Sequence, residues 1–182
     1  MKDTKDGRLR RYELTPYSGA KNGQIGYSIA ILNELSERMY DQISDLPVEA
    51  LSFVPRGSYL SIGKLVVHLA SSEAHRVSDA SGRAIPADLQ AVLSTGAREH
   101  LSRPLDPPRS AEDLIALSRR LRTEFTIPAL SSIDDFDAAV DGMGPLNTVR
   151  KIIMQLVWHS IYHSGHIGLT RLLWGSDYNW RY

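Results

Sequence analysis

The 182-residue chain contains no cysteine. That absence excludes a disulfide framework, a thiolate metal site and a cysteine nucleophile. Net charge is also missing: 21 Lys and Arg face 21 Asp and Glu. A dedicated nucleic-acid binder needs a surplus of cations to displace the counterions of phosphate, so that class is set aside. Apolar runs such as Leu65-Val66-Val67 and Ile152-Ile153-Met154 are far too short to span a bilayer, and no membrane partner is expected. The opening residues are charged and lack the apolar stretch of a signal peptide. These absences together predict a soluble, cytoplasmic protein. The basic cluster Arg8, Arg10 and Arg11 fits a solvated tail better than an anion-binding arm.

What is present is helical periodicity. Ile25, Ile29, Leu32, Ser36, Met39, Ile43 and Leu46 advance by alternating steps of four and three, one face of a helix over 24–46 that ends before Pro47. A second helix is predicted over 58–80, stopping near Gly82. The next thirty residues carry Pro86, Gly96, Pro104, Pro107 and Pro108 and form a long connection, with one short helix between Pro86 and Gly96. Ser110 followed by Asp113 is an N-cap signature. It opens a third helix with Leu114, Leu117, Leu121 and Phe125 inward, ending before Pro128. An acidic surface excursion follows, and Asn147 is the expected cap of a fourth helix that stops at Gly175. No strand pattern competes. The expectation is an all-α four-helix bundle in one domain over 1–182, with an N-terminal arm at 1–22 and an aromatic tail at 176–182. That tail packs back on the body or on a second copy of the chain.

Five of the six histidines fall on the second and fourth predicted helices; His100, in the connection, is taken as surface. On the fourth, Ile152, Leu156, His159, His163, His166, Thr170 and Leu173 form the expected inward stripe. His159 and His163 are one turn apart, so both imidazoles point the same way and can chelate one ion. His68 on the second helix can add a third nitrogen if the two helices are neighbours. Three neutral imidazoles leave coordination positions for water or substrate, as a catalytic metal site requires. Buried imidazoles left without partners would each cost about 1–3 kcal/mol, and a metal removes that cost. A zinc-protease motif is excluded, because Ser160 follows the first histidine where that motif needs a general-base Glu. Glu73 is nearby in sequence and is better explained as a surface or ion-pair residue.

Two segments carry a family resemblance. Ser61-Ile-Gly-Lys-Leu-Val-Val-His-Leu-Ala70 resembles the second-helix motif of the DinB/YfiT-like metalloenzymes, and His159-Ser-Ile-Tyr-His-Ser-Gly-His-Ile167 resembles their fourth-helix motif. Pro55 and Gly57 also fit, and the resemblance covers roughly 25–175. It implies an up-down-down-up bundle, consistent with the long connection between helices two and three. It further implies a divalent metal on His68, His159 and His163. His166 stands where the family usually has Gln, leaving open a fourth ligand, a supporting donor or an acid/base group. The family includes bacillithiol S-transferases and mycothiol-dependent isomerases, so the resemblance implies a low-molecular-weight thiol cosubstrate.

The expected function is therefore a metal-dependent transferase or hydrolase acting on a small molecule. Any thiol must come from a cosubstrate, since the chain has none. His166 or His75 would shuttle the proton, an imidazole being the side chain suited to neutral pH. Zinc is the first expectation and nickel the second, with iron or manganese admissible. Trp158 and Tyr162 could shape the pocket or serve in packing. A homodimer is expected from the aromatic tail and from family habit. The alternative is a non-catalytic metal-binding stress-response or scaffold protein.

Overall fold

The computed structural model describes residues 14–58, 60–96 and 105–178. The basic cluster at Arg8–Arg11, His100 and the tail beyond Tyr178 lie outside the described residues. Helices account for nearly all the regular structure, and among the described residues there is no strand beyond one isolated bridge between Ala139 and Thr148.

Helix α1 (Gly23–Ile43) begins where the Asn22 side chain accepts from the Gln24 and Ile25 amides. Those amides have no partner inside the helix, which is why a short polar side chain marks the start. Its predicted stripe is buried at Ile25, Ile29, Leu32, Met39 and Ile43. A short helix, α2 (Val48–Ser52), follows Pro47 and buries Ala50 and Leu51. The sequence predicts a helix end before Pro47 and a turn at 54–58, but not this additional helix between them. Helix α3 (Ile62–Ser81) starts later than predicted, because the Ser61 hydroxyl caps the Lys64 amide; it stops at Gly82, whose φ of 68° is left-handed.

Helix α4 (Ala87–Leu93) runs into a 3₁₀ turn at Ser94–Gly96. Helix α5 (Ala111–Leu121) opens with a reciprocal cap between Ser110 and Asp113. The expected stop before Pro128 is corrected by the structure. The chain widens into a π-helical turn over Arg122–Thr126, the Ile127 amide reaches back to the Arg122 carbonyl, and α6 (Ile127–Ser131) carries Pro128 in its first turn. Proline is tolerated there because its missing amide would have no partner in a first turn. Helix α7 (Val149–Trp174) is capped by Thr148, not by Asn147 as expected, the threonine hydroxyl accepting from the Lys151 amide.

The core lies between α7, α3, α5–α6 and α1. Gln42 and Asp45, at the end of α1, meet Ser164 and Arg171 of α7. Asn33 and Glu37 meet Arg122 and Arg119, and the Lys21 amide donates to the Ser131 carbonyl. Gly63 lies beside Leu114, and Glu73 lies beside Arg122 and Thr126. Glu73 is thus an ion-pair residue, and a buried one. The acidic excursion after α6 is anchored by buried Phe136 and by Arg150, which pairs with Asp137.

Candidate metal centre

The packed helices α3 and α7 bring His68, His159 and His163 to one place, with one ring nitrogen from each lying within 4.8 Å of the others. The ring centroids are 5.0, 5.2 and 4.6 Å apart, and each pair meets edge to face. His163 is buried, while His68 and His159 are half-buried.

The partners of the rings determine which nitrogens face inward. His68 Nδ1 is 3.0 Å from the Gly96 carbonyl oxygen, which only accepts, so Nδ1 carries the proton and Nε2 keeps its lone pair. That Nε2 points at His159 Nε2, 3.2 Å away. His163 Nδ1 lies 3.2 Å from His166 Nδ1, leaving His163 Nε2 for the cluster. Burial, reinforced by the facing His68 ring and by Arg76, pushes the His159 pKa down to about 4. Burial, with His159, His68 and His166 around it, pushes His163 down to about 3. Both imidazoles are therefore neutral at pH 7, the state in which they can donate a lone pair to a cation. Three converging imidazole nitrogens, one of them on a ring oriented by a backbone carbonyl, fit a divalent transition ion.

Other expected residues fall elsewhere. His75 is exposed, with Nδ1 bonded to the Ser71 carbonyl at 2.8 Å and Nε2 3.4 Å from Gln90; it does not join the cluster. His166 is half-buried and reaches the cluster through His163. Tyr162 packs edge-on against both His163 and His166, with centroids 5.1 and 4.4 Å away, whereas Trp158 is 71% exposed. Leu173 was expected inward and is 58% exposed, because it falls on the outer side of α7, while Thr170 and Arg171 in the same turn are buried.

Sequence reasoning missed Gly96 as part of the site. It appeared only as a helix stop, yet its carbonyl holds His68 and its missing side chain allows the 3₁₀ turn to press on α3. A Cβ there would stand 2.5 Å from the Val67 carbonyl oxygen and 2.9 Å from the His68 amide nitrogen. Arg76, two turns beyond His68, was missed as the cation facing His159.

These features define an all-helical protein with a three-imidazole cluster suited to a divalent cation. Over residues 29–174 the sequence matches the mycothiol S-transferase family, and the chain belongs to that DinB/YfiT-like family. No curated protein matches the sequence. Among the described residues no helix is long and apolar enough to cross a membrane.

Proposed function

We propose that the protein is a cytoplasmic, metal-dependent S-transferase that joins the thiol of a low-molecular-weight cosubstrate, mycothiol first, to a small electrophile. The observation that carries this reading is the convergence of His68, His159 and His163 in a chain of the mycothiol S-transferase family. A divalent transition ion on those three nitrogens, zinc first and nickel second, supplies the Lewis acidity that lowers the pKa of a thiol.

The chain's own residues do the rest. Gly96 orients His68, and His166 orients His163. His166 Nδ1 accepts from His163 Nδ1–H, so His166 Nε2 carries a proton with which it can hydrogen-bond the departing group, while the thiol proton passes to water. The sulfur then forms its bond to the electrophilic carbon, and the leaving group departs with the bonding electrons. Where the electrophile is a double bond, a proton returns from water to the neighbouring carbon. His75, committed to Ser71 and Gln90, stays outside the reacting groups. The same reading includes an up-down-down-up order for α1, α3, α5–α6 and α7. It is supported by Gln42 and Asp45, in and just after the last turn of α1, advancing along α7 in step with 164 and 171, and by α3 residues 63 and 73 advancing in step with 114 and 122.

The test is thioether formation between mycothiol and a haloalkyl fluorophore, with bacillithiol in parallel, on protein loaded with zinc, nickel, iron or manganese. Turnover that needs metal and mycothiol, and that disappears in His163→Ala together with about one equivalent of bound metal, is the expected result. Metal uptake with no thioether from either thiol would overturn the transferase reading in favour of a non-catalytic metal-binding module.

A further inference from the structure

Lysine is seldom buried, because its ammonium is strongly hydrated and its stem is long enough to carry the charge to the surface. Lys64 is 2% exposed. It lies in the first turn of α3, one helical turn before His68, and takes no part in the proposed transfer. The position is unfavourable twice over. A cation in a first turn meets the positive end of the helix dipole, and a buried one gives up its hydration. Residues that break local rules in this way are expected where a functional site demands it.

The hydrogen bonds of Lys64 point to that site. Its Nζ donates to the Thr95 carbonyl at 2.7 Å. The carbonyl of the next residue, Gly96, is the one that accepts from His68 Nδ1 at 3.0 Å. Two successive turns of α3 therefore grip two successive carbonyls of the 3₁₀ turn at Ser94–Gly96. The hydroxyls of that turn serve α4 instead: Ser94 donates to the Ala91 carbonyl and Thr95 to the Val92 carbonyl, each at 2.9 Å. Close packing of Gly96 on the Val67–His68 backbone limits how near the turn can come, but it does not aim a carbonyl. A charge-assisted hydrogen bond does. Glycine is the residue whose dihedrals are least restricted, so the peptide plane ahead of Gly96 has to be held from outside.

We propose that Lys64 is a positioning residue of the metal centre: by holding the Thr95 carbonyl it keeps the Gly96 carbonyl aimed at His68 Nδ1, and thereby His68 Nε2 aimed at the ion. The role rests on the proposed metal centre and acts through Gly96 and His68.

Zinc competition against a chromophoric chelator, with the full chain, tests it. Lys64→Met keeps an unbranched stem and removes the ammonium; it should weaken zinc binding about tenfold with unchanged helical circular dichroism. Lys64→Arg, which keeps a charged donor, should lose less. Val77→Ala opens a cavity in the same helix away from the turn; it should lower the melting temperature and leave zinc affinity within twofold of the parent. In metal-free protein, ring ¹⁵N NMR should find the His68 proton on Nδ1 in the parent and divided between both nitrogens in Lys64→Met. Zinc affinity of Lys64→Met within twofold of the parent overturns the role, as does an unchanged His68 tautomer. An equal loss in Val77→Ala overturns it too, because stability alone would then set affinity. A parent chain that takes up no zinc overturns the metal centre and this role with it, whereas a parent that binds zinc no better than Lys64→Met overturns the role of Lys64 alone.

Discussion

Replacing Gly96 by alanine perturbs the histidine cluster without touching any of its three rings. The added Cβ would stand 2.5 Å from the Val67 carbonyl oxygen, 2.6 Å from the Val67 carbonyl carbon and 2.9 Å from the His68 amide nitrogen. All three are backbone atoms of α3, so no side chain can swing away. Ordinary contact lies near 3.5 Å, so the 3₁₀ turn must retreat by about 1 Å. The bond from His68 Nδ1 to the Gly96 carbonyl, 3.0 Å long, then stretches beyond hydrogen-bond range. Two separate losses follow. Overpacking should cost about 1–3 kcal/mol of stability, which at about 2–4 °C per kcal/mol lowers the melting temperature of a domain this size by a few to about ten degrees. Freeing the ring should cost about 10–100-fold in metal affinity, or about 1.4–2.7 kcal/mol. Competition against a chromophoric chelator reads the second loss, and thermal melting of metal-free protein reads the first. A lowered melting temperature with metal affinity within twofold of the parent would refute the claim that this carbonyl orients His68. No change in either would refute the packing geometry itself.

The buried ion pair gives a second prediction. Arg122 and Glu73 are 9% and 11% exposed and meet at 2.6 Å, and Thr126 donates to the other carboxylate oxygen. Arg122→Met should strand that carboxylate and cost about 3–5 kcal/mol, and Glu73→Gln in the same chain should recover much of it. Chemical denaturation of the two variants reads the difference; Arg120, on an exposed pair with Asp88 and Glu124, is the control and should change little. The third prediction concerns pH. His159 and His163 titrate near 4 and 3 in the fold and near 6.5 when unfolded, so the unfolded chain binds more protons between these values. Stability of the metal-free protein should therefore be fully present above about pH 6.5 and fall as the pH drops toward 4 and then 3. Ring-proton NMR titration would show it, and two rings titrating near 6.5 would contradict the burial argument.

How far the sequence could be read follows from the range of each interaction. Local signals identified the Ser110–Asp113 cap, the Gly82 and Gly175 stops and the inward stripe of α1. The histidine pair on α7 was legible because one helical turn fixes its geometry, and His68 became legible through the family motif. What sequence missed is set by distant packing. Pro128 reads locally as a stop, but the π turn before it leaves no amide to satisfy. The Gly96 carbonyl reaches His68 across 28 residues, and no local pattern encodes such a contact. Glu73 could be assigned to an ion pair, but its partner, 49 residues away, and its burial could not. Leu173 kept the three-and-four spacing of its stripe and still points outward, since that spacing fixes which residues share a side of the helix and not the angle at which the side meets the core.

The placement of the cluster on α7 also explains how so many imidazoles are accommodated. Deep in a core, three rings would each need two partners; on a solvated face they would be protonated part of the time and unable to share one cation. The histidines of α7 instead lie on the seam between the inner stripe and the outer apolar face, with His163 buried and His159 and His166 half-buried. Burial there is enough to keep His159 and His163 neutral, and the outer nitrogens of His68 and His163 are met by the Gly96 carbonyl and by His166. Of the outer apolar residues, Tyr162 packs edge-on against His163 and His166 and so covers that side of the seam, adding its ring to the burial that holds His163 below the ordinary imidazole range.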